Sequence, residues 1–355
     1  MQITHFDRGK SLAEHTSIGL GGKADYFADI LNETDLYNCI HLCKKKQIPF
    51  LALGGGSNIV FSDSGYNGLI GRIKCSNVTV KTKALNKSLF RLTVPAQVEL
   101  DLFVSWAVDH GFAGLTCLSG IPGTVGAAPV QNVGAYGTEI GEFIESIEVF
   151  DLEDGRFYSL TSSQCSFQYR HSLFKAKPHI LIWRVTFLLR KEEQETLSHK
   201  QLEEQLQHKP PTLRNLREAV LDIRGKKGML ASSHKSCGSF FKNPVITEPD
   251  FLRLKDQLGH QIPSYTLGEN ALKIPAAWLI EQAGFKKGSH QKGVGISPDH
   301  SLALINVGNG TSSELLKLAS EISHRINDRF CILLEPEPLI LDEQGQKLDL
   351  QGAIQ

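Results

Sequence analysis

Hydrophobic and polar positions repeat with two periods along the chain, and each change of period marks an element. Across residues 33–47, Leu36, Ile40 and Cys43 recur at helical spacing and a lysine run follows, predicting an amphipathic helix with a basic C-terminal end. Pro49-Phe-Leu-Ala-Leu reads as a short apolar strand running straight into Gly54-Gly55-Gly56-Ser57-Asn58. Period-two alternation appears in Val78-Thr-Val-Lys-Thr and again in Phe90-Arg-Leu-Thr-Val, so a new sheet is expected from about residue 75. A helix over roughly 100–110 leads into a glycine-rich stretch, beyond which 144–150 and 156–160 flank Glu153-Asp154-Gly155 as a hairpin. The strongest strand pattern is 179–189; 191–209 then turns polar until Pro210-Pro211 breaks it, predicting a solvated helix or insertion. A further helix is expected over 213–225, with Leu216, Val220, Leu221 and Ile223 inward, and others near 250–258 and 275–284. Leu302-Ala-Leu-Ile-Asn opens a β–α–β unit whose helix begins at a Thr311/Ser312 cap, ends near Phe330 and passes to a strand at Cys331-Ile-Leu-Leu.

The stretch 114–141 organises the rest. Glycines at 120, 123, 126, 134 and 137 alternate with Ala, Ser, Thr and Asn, so the main chain can approach a ligand and aim N–H groups at it, as a diphosphate requires. A long surface loop is the plain alternative. Against it, Leu118, Ile121, Val125, Val130 and Val133 punctuate the glycines and would be wasted on a solvated linker. The segment therefore reads as buried and cofactor-lining. Gly54 to Asn58, at a strand end, reads either as a phosphate cradle or as a tight turn. Gly19, Gly21 and Ala24 fit a loose dinucleotide fingerprint, but no apolar strand precedes them and no clear helix follows, so that fit is accidental.

Bulk properties narrow the field. A chain of 355 residues exceeds one ordinary core, so two or three domains are expected. With 38 basic and 38 acidic residues there is no electrostatic footprint for nucleic acid or an acidic membrane. Seven scattered cysteines without a Cys-x-x-Cys pair argue against disulfides or a zinc site; Cys39 and Cys43, one helical turn apart, read as small core residues. No stretch reaches transmembrane length and no leader is evident, so a cytoplasmic protein is expected.

Few residues stand out chemically. Glu335-Pro-Glu337-Pro places two carboxylates on one face of an apolar extended segment, either an exposed edge or an acid and hydrogen-bonding site. Arg170 precedes the strongest strand; its fork suits a carboxylate, although a surface salt bridge is the common fate. Ser239 is a hydroxyl between Gly238 and two phenylalanines. Serine hydrolase, P-loop and zincin motifs are all absent, and the thirteen histidines do not cluster at ligand spacing.

Taken together, Leu53-Gly-Gly-Gly-Ser-Asn, Ser119-Gly-Ile-Pro-Gly-Thr-Val-Gly-Ala-Ala-Pro-Val-Gln-Asn-Val-Gly-Ala-Tyr-Gly, Tyr169-Arg-His-Ser, Gly238-Ser-Phe-Phe-Lys-Asn-Pro and Leu334-Glu-Pro-Glu resemble the UDP-N-acetylenolpyruvoylglucosamine reductase (MurB) family, in order, over about 15–339. The resemblance implies an α+β, three-domain flavoprotein with a vanillyl-alcohol-oxidase-type (PCMH-type) FAD-binding fold and a MurB-type substrate domain. Its parts would be 1–74 joined by 331–355, 75–228, and a substrate domain at 229–330. It implies NADPH as hydride-donating co-substrate, FAD as cofactor and a UDP-sugar as small-molecule partner, with no metal and no required oligomer. By resemblance, Arg170, Ser239 and Glu337 are catalytic, with Ser239 delivering a proton. Gly54, Gly55, Gly56, Ser57, Asn58, Ser119, Gly120, Ile121, Pro122, Gly123, Gly126, Ala127, Gly134, Ala135, Tyr136 and Arg224 would line FAD. Lys227 and Asn243 would hold the UDP diphosphate, and Tyr169 and His300 line the substrate. One branch of the family closes a tyrosine over that diphosphate, whereas residues 190–230 here contain none. Two other readings stay open: a flavin oxidase of the same superfamily, disfavoured by the three catalytic residues together, and a catalytically silent nucleotide-binding module.

Overall fold

The strand Ile180–Lys191, 12 residues long, is the spine of an antiparallel six-stranded sheet. It pairs on one side with Ile144–Asp151 and on the other with Leu89–Pro95; Arg156–Thr161 and Lys81–Ala84 form the edges, and Phe112–Ala113 pairs with its end. Opposite Glu148 and Val149 the register slips around Trp183. A bulge of this kind reverses the in–out alternation. Ile180 and Ile182 therefore share a core with Val185, Phe187 and Leu189, whereas Leu181 and Trp183 face a second one. The computed structural model describes residues 4–74, 79–195, 199–207, 209–259, 261–267 and 270–350. Val78, in the expected strand start, lies outside them.

This sheet belongs to the first of two units, residues 1–10, 24–56 and 68–226; the second comprises 11–23, 57–67 and 227–355. The second core of the first unit carries the helix Glu33–Lys46, whose Leu36, Cys39 and Cys43 pack with Ala28, Ile30 and Leu69 against Phe150, Leu181 and Trp183. Asn32 caps that helix by accepting from the Asp35 N–H, and Gln47 ends it at φ 55°. Cys39 and Cys43 are core residues as expected: burial pushes their thiols up to about 12 and about 11. A four-stranded sheet runs Asp7–Ser11, Lys23–Ile30, Tyr66–Ile73, Phe50–Leu53, its last pair parallel.

The polar region 191–209 departs from expectation. It holds the helix Lys200–Leu206, and Leu202 and Leu206 are buried against Leu216, Ala219, Val220 and Ile223 of the helix Leu213–Lys226. Two leucines four apart suffice to give a charged helix an inward stripe, so the segment packs and is not simply solvated.

In the second unit, Ser236–Ser239, Ala303–Asn306, Val294–Ile296 and His290–Gln291 form an antiparallel sheet covered by the helix Ser312–Phe330. That helix starts in a Thr311/Glu314 capping box, and the Asp63 carboxylate accepts from the Ser312 and Ser313 N–H groups at 2.7 and 2.9 Å. The strand expected at Cys331-Ile-Leu-Leu does not form. Cys331 caps the helix at φ 54°, and the chain runs extended with Ile332 and Leu334 buried but outside any sheet. Pro336 makes only an isolated bridge with Phe241, and the strand begins at Leu339–Leu341, parallel to Ile59–Phe61. Among the described residues, no helix is long and apolar enough to cross a membrane.

Candidate active site

In the first unit the two glycine runs meet main chain to main chain. A Cβ added at Gly55 would lie 2.9 Å from the Gly123 Cα, and one at Gly54 would lie 3.1 Å from Ala127 Cβ and Thr124 Oγ1. A side chain at Gly55 would force the main chain at Gly123 to shift, and one at Gly54 would press more lightly on Ala127 and Thr124. Leu118 and Val125 are fully buried beneath the segment, and Ile121, Val130 and Val133 pack against the same core. The run 54–58 is shared between units: Gly54 to Gly56 belong to the first, Ser57 and Asn58 to the second.

Several side chains fix this surface. Ser119, fully buried, donates to the Thr116 carbonyl at 2.6 Å. The Asp101 carboxylate accepts from the Gly120 N–H at 2.6 Å and from both Arg217 terminal nitrogens at 2.6 and 2.9 Å. Burial raises the Asp101 carboxyl, but Arg217, the Gly120 N–H and Arg224 together outweigh it and hold the group below its usual range. Asn132, buried at φ 46°, accepts from the Gly141 N–H and donates to Glu139 and to the Gln168 carbonyl. Burial pulls the Arg224 guanidinium below the ordinary arginine value, opposed by Tyr136 and then Asp101. A Cβ-free cradle beside an enclosed cation has the composition an anionic dinucleotide requires, so the residues fit FAD.

Arg170 lies at the tip of a two-residue turn closed by reciprocal hydrogen bonds between Gln168 and His171, both 3.0 Å. It sits at φ 53°, a conformation that costs a non-glycine residue about 1 kcal/mol or more. Its guanidinium donates to the Gly134 carbonyl at 3.1 Å and lies 5.2 Å from the Tyr169 ring centroid. Arg170 is thereby attached to the glycine segment. Tyr136, at φ 53°, is a third non-glycine residue of this region in the left-handed conformation.

In the second unit, the Glu337 N–H donates to the Phe240 carbonyl at 2.8 Å and the Lys242 N–H to the Glu335 carbonyl at 3.0 Å, so the Glu-Pro-Glu segment lies alongside the residues that follow Ser239. Asn58 joins them: its Nδ2 donates to the Glu337 carbonyl at 3.4 Å and its own carbonyl accepts from Leu339 N–H at 3.0 Å. Ser239, Glu337 and Asn58, far apart in sequence, thus meet in one place. Cys237 underlies them, its thiol pushed up to about 12 by burial, with Glu337 adding to the rise. The two glutamates differ. Glu335 is exposed and paired with Lys242 at 2.6 Å, whereas Glu337 is half-buried.

Among the other expected substrate residues, Asn243 uses its Oδ1 to accept the Ala276 N–H at 2.9 Å, which leaves its amide N–H groups as donors. His300 accepts the Leu302 N–H on Nδ1 at 3.1 Å, which puts its proton on Nε2. Burial, then the charges of Lys227 and Lys287, pull its pKa from 6.5 to about 4, against Glu281. His300 is therefore neutral at pH 7. Asp101, Arg217 and Asn132 were not apparent from sequence. Their one trace is polarity within apolar surroundings, which does not distinguish a buried clamp from a surface residue.

The sequence profile of an FAD binding domain matches residues 24–161, and that of the UDP-N-acetylenolpyruvoylglucosamine reductase C-terminal domain matches 230–341. Fold and cradle thus define a flavoprotein with a PCMH-type FAD-binding domain. A crystal structure of UDP-N-acetylenolpyruvylglucosamine reductase from Thermus caldophilus has the same fold, with TM-score 0.66, 24% identity and coverage of 95% of this chain and 99% of that one. UDP-N-acetylenolpyruvoylglucosamine reductase of Thermobifida fusca is 37% identical over 95% of this chain and 98% of its own. That of Pseudomonas aeruginosa is 33% identical over 92% and 96%. The chain belongs to the UDP-N-acetylenolpyruvoylglucosamine reductase family.

Proposed function

We propose that Arg170, Ser239 and Glu337 carry the family's reaction in this chain: reduction of UDP-N-acetyl-3-O-(1-carboxyvinyl)glucosamine to UDP-N-acetylmuramate, in peptidoglycan synthesis. The protein is an FAD-dependent oxidoreductase that takes its electrons from NADPH. Bound FAD, once reduced, supplies hydride to the methylene carbon of the enolpyruvyl group. Negative charge then develops on the adjacent carbon and its carboxylate, where Arg170 and Glu337 stabilise it. Ser239 gives its proton to that carbon; a hydroxyl is a weak acid, so it acts only on a strongly basic centre at close range.

Gly54 to Asn58, Ser119 to Gly123, Gly126, Ala127, Gly134 to Tyr136 and Arg224 hold the FAD. Lys227 and the Asn243 amide bind the UDP diphosphate, Tyr169 lines the substrate, and His300 offers a neutral Nε2–H donor. FAD parts at 1–74 and 75–228, with 331–355 joining the first, and a substrate domain at 229–330 complete this reading, for a cytoplasmic enzyme that needs no partner subunit. The observation that carries it is the Glu337 N–H bond to Phe240, which fastens the second carboxylate beside the serine strand.

An anaerobic titration tests it. NADPH should bleach the flavin, and UDP-N-acetyl-3-O-(1-carboxyvinyl)glucosamine should restore its absorbance with one equivalent of UDP-N-acetylmuramate formed. Reoxidation by oxygen alone, with peroxide released, would instead identify an oxidase, and a colourless protein would mean a silent binding module.

A further inference from the structure

One half-buried carboxylate outside the catalytic set joins three elements of the first unit. Asp101 lies in the first turn of the helix Leu100–Asp109, accepts from Gly120 in the glycine segment, and grips the Arg217 fork on the helix Leu213–Lys226. The Arg217 side chain is only 15% exposed and that of Asp101 36%, so the pair is partly shielded from water, and its bidentate geometry fixes the orientation of both groups. Arg217 and Arg224 are seven residues apart, two turns along the same face of one helix. Asp101 therefore sits where it can fix both the glycine main chain and the helix that presents Arg224.

We propose that Asp101, through Arg217 and Gly120, is a positioning residue that sets the charge and the main-chain geometry facing the flavin. The proposal rests on the reading of Gly120 and Arg224 as FAD-lining. The three groups carry one net positive charge, two guanidinium groups against one carboxylate. Two-electron reduction places negative charge on the flavin, so its midpoint potential follows that sum. Removing Asp101 makes the surroundings more positive and favours the reduced flavin. Removing Arg217 leaves a carboxylate facing Arg224 alone and favours the oxidised one.

The test compares midpoint potentials, by equilibration with a reference dye, and FAD dissociation constants of the apoproteins. Asp101→Asn should raise the potential and Arg217→Gln lower it, each by about tenfold in the reduced-to-oxidised ratio, or about 30 mV for a two-electron couple. Arg217→Lys keeps the charge but loses the fork: its potential should stay near wild type while FAD binds severalfold more weakly. A clip that is only structural would weaken FAD binding in all three variants and move no potential. Potentials within threefold of wild type, or shifts of the same sign in Asp101→Asn and Arg217→Gln, would overturn the proposal. If Asp101→Asn fails to fold, the contrast between Arg217→Gln and Arg217→Lys decides it. Arg224→Gln separates the two levels of inference. Wild-type FAD affinity and potential in Arg224→Gln would remove the flavin-site reading itself, whereas a shift there without one in the Asp101 and Arg217 variants would sink only the role of Asp101.

Discussion

The glycine cradle and the Ser239–Glu337 cluster build their surfaces in opposite ways. The cradle works by subtraction: Gly55 comes so near the Gly123 main chain that a single added carbon would force it to shift, and Gly54 is nearly as close to Ala127. The cluster works by convergence, since Asn58, Ser239 and Glu337 come from three remote stretches and are held by main-chain hydrogen bonds across them. A surface made by subtraction repeats locally and tolerates almost no substitution. One made by convergence depends on strand register, and its side chains can be exchanged with little change of fold.

Ser239→Ala should separate the two regions most sharply. Reoxidation of the reduced flavin by substrate should slow about 10³-fold, while NADPH-driven bleaching and FAD content stay at wild type. Stopped-flow measurement of the two half-reactions checks this, and an equal fall in both would show that the cluster also serves the cofactor.

The second contrast is in pH. The folded His300 pKa of about 4 lies below its ordinary 6.5, so the unfolded chain binds a proton that the folded one refuses. Stability should be fully present above pH 6.5 and fall toward pH 4, by up to about 3 kcal/mol for this group. Urea unfolding at several pH values should show this slope flattened in His300→Gln; an unchanged slope would assign the acid loss to other groups.

Gly55→Ala addresses the cradle directly. Its Cβ would press on the Gly123 main chain, which has no flexible end to yield, so we expect about 1–3 kcal/mol of lost stability and weaker FAD retention through dialysis. Retention at the wild-type level would mean that the cradle gives way more easily than its spacing implies. The smallest effect belongs to Glu335→Gln. That exposed ion pair with Lys242 should contribute under about 1 kcal/mol and leave both half-reactions unchanged. A large kinetic loss there would show that the two glutamates are not divided in role.

This contrast also explains what was legible from sequence. The helix Glu33–Lys46, the helix Ser312–Phe330 with its Thr311 cap, and the 144–161 hairpin were legible because periodicity and caps are local. The glycine runs announced their main-chain character for the same reason. The strand misplaced at 331–334 was not legible, because apolar content does not reveal that Cys331 adopts a left-handed cap and that the residues after it find no sheet partner. Leu202 and Leu206 were hidden in a charged run. Asp101 and Arg217, 116 residues apart, leave no mark on any one stretch, because their significance lies in the pair.

The parallel pairing of Leu339–Leu341 with Ile59–Phe61 has a consequence for biogenesis. A ribosome reaches the last residue of the first unit, at 226, well before it adds the strand that locks 57–67 into the second. Closing so long a loop is entropically slow and cannot begin until that strand emerges. On the nascent polypeptide, the unit that carries the glycine segment is therefore ready to mature first, and the unit that carries Ser239 and Glu337 comes last.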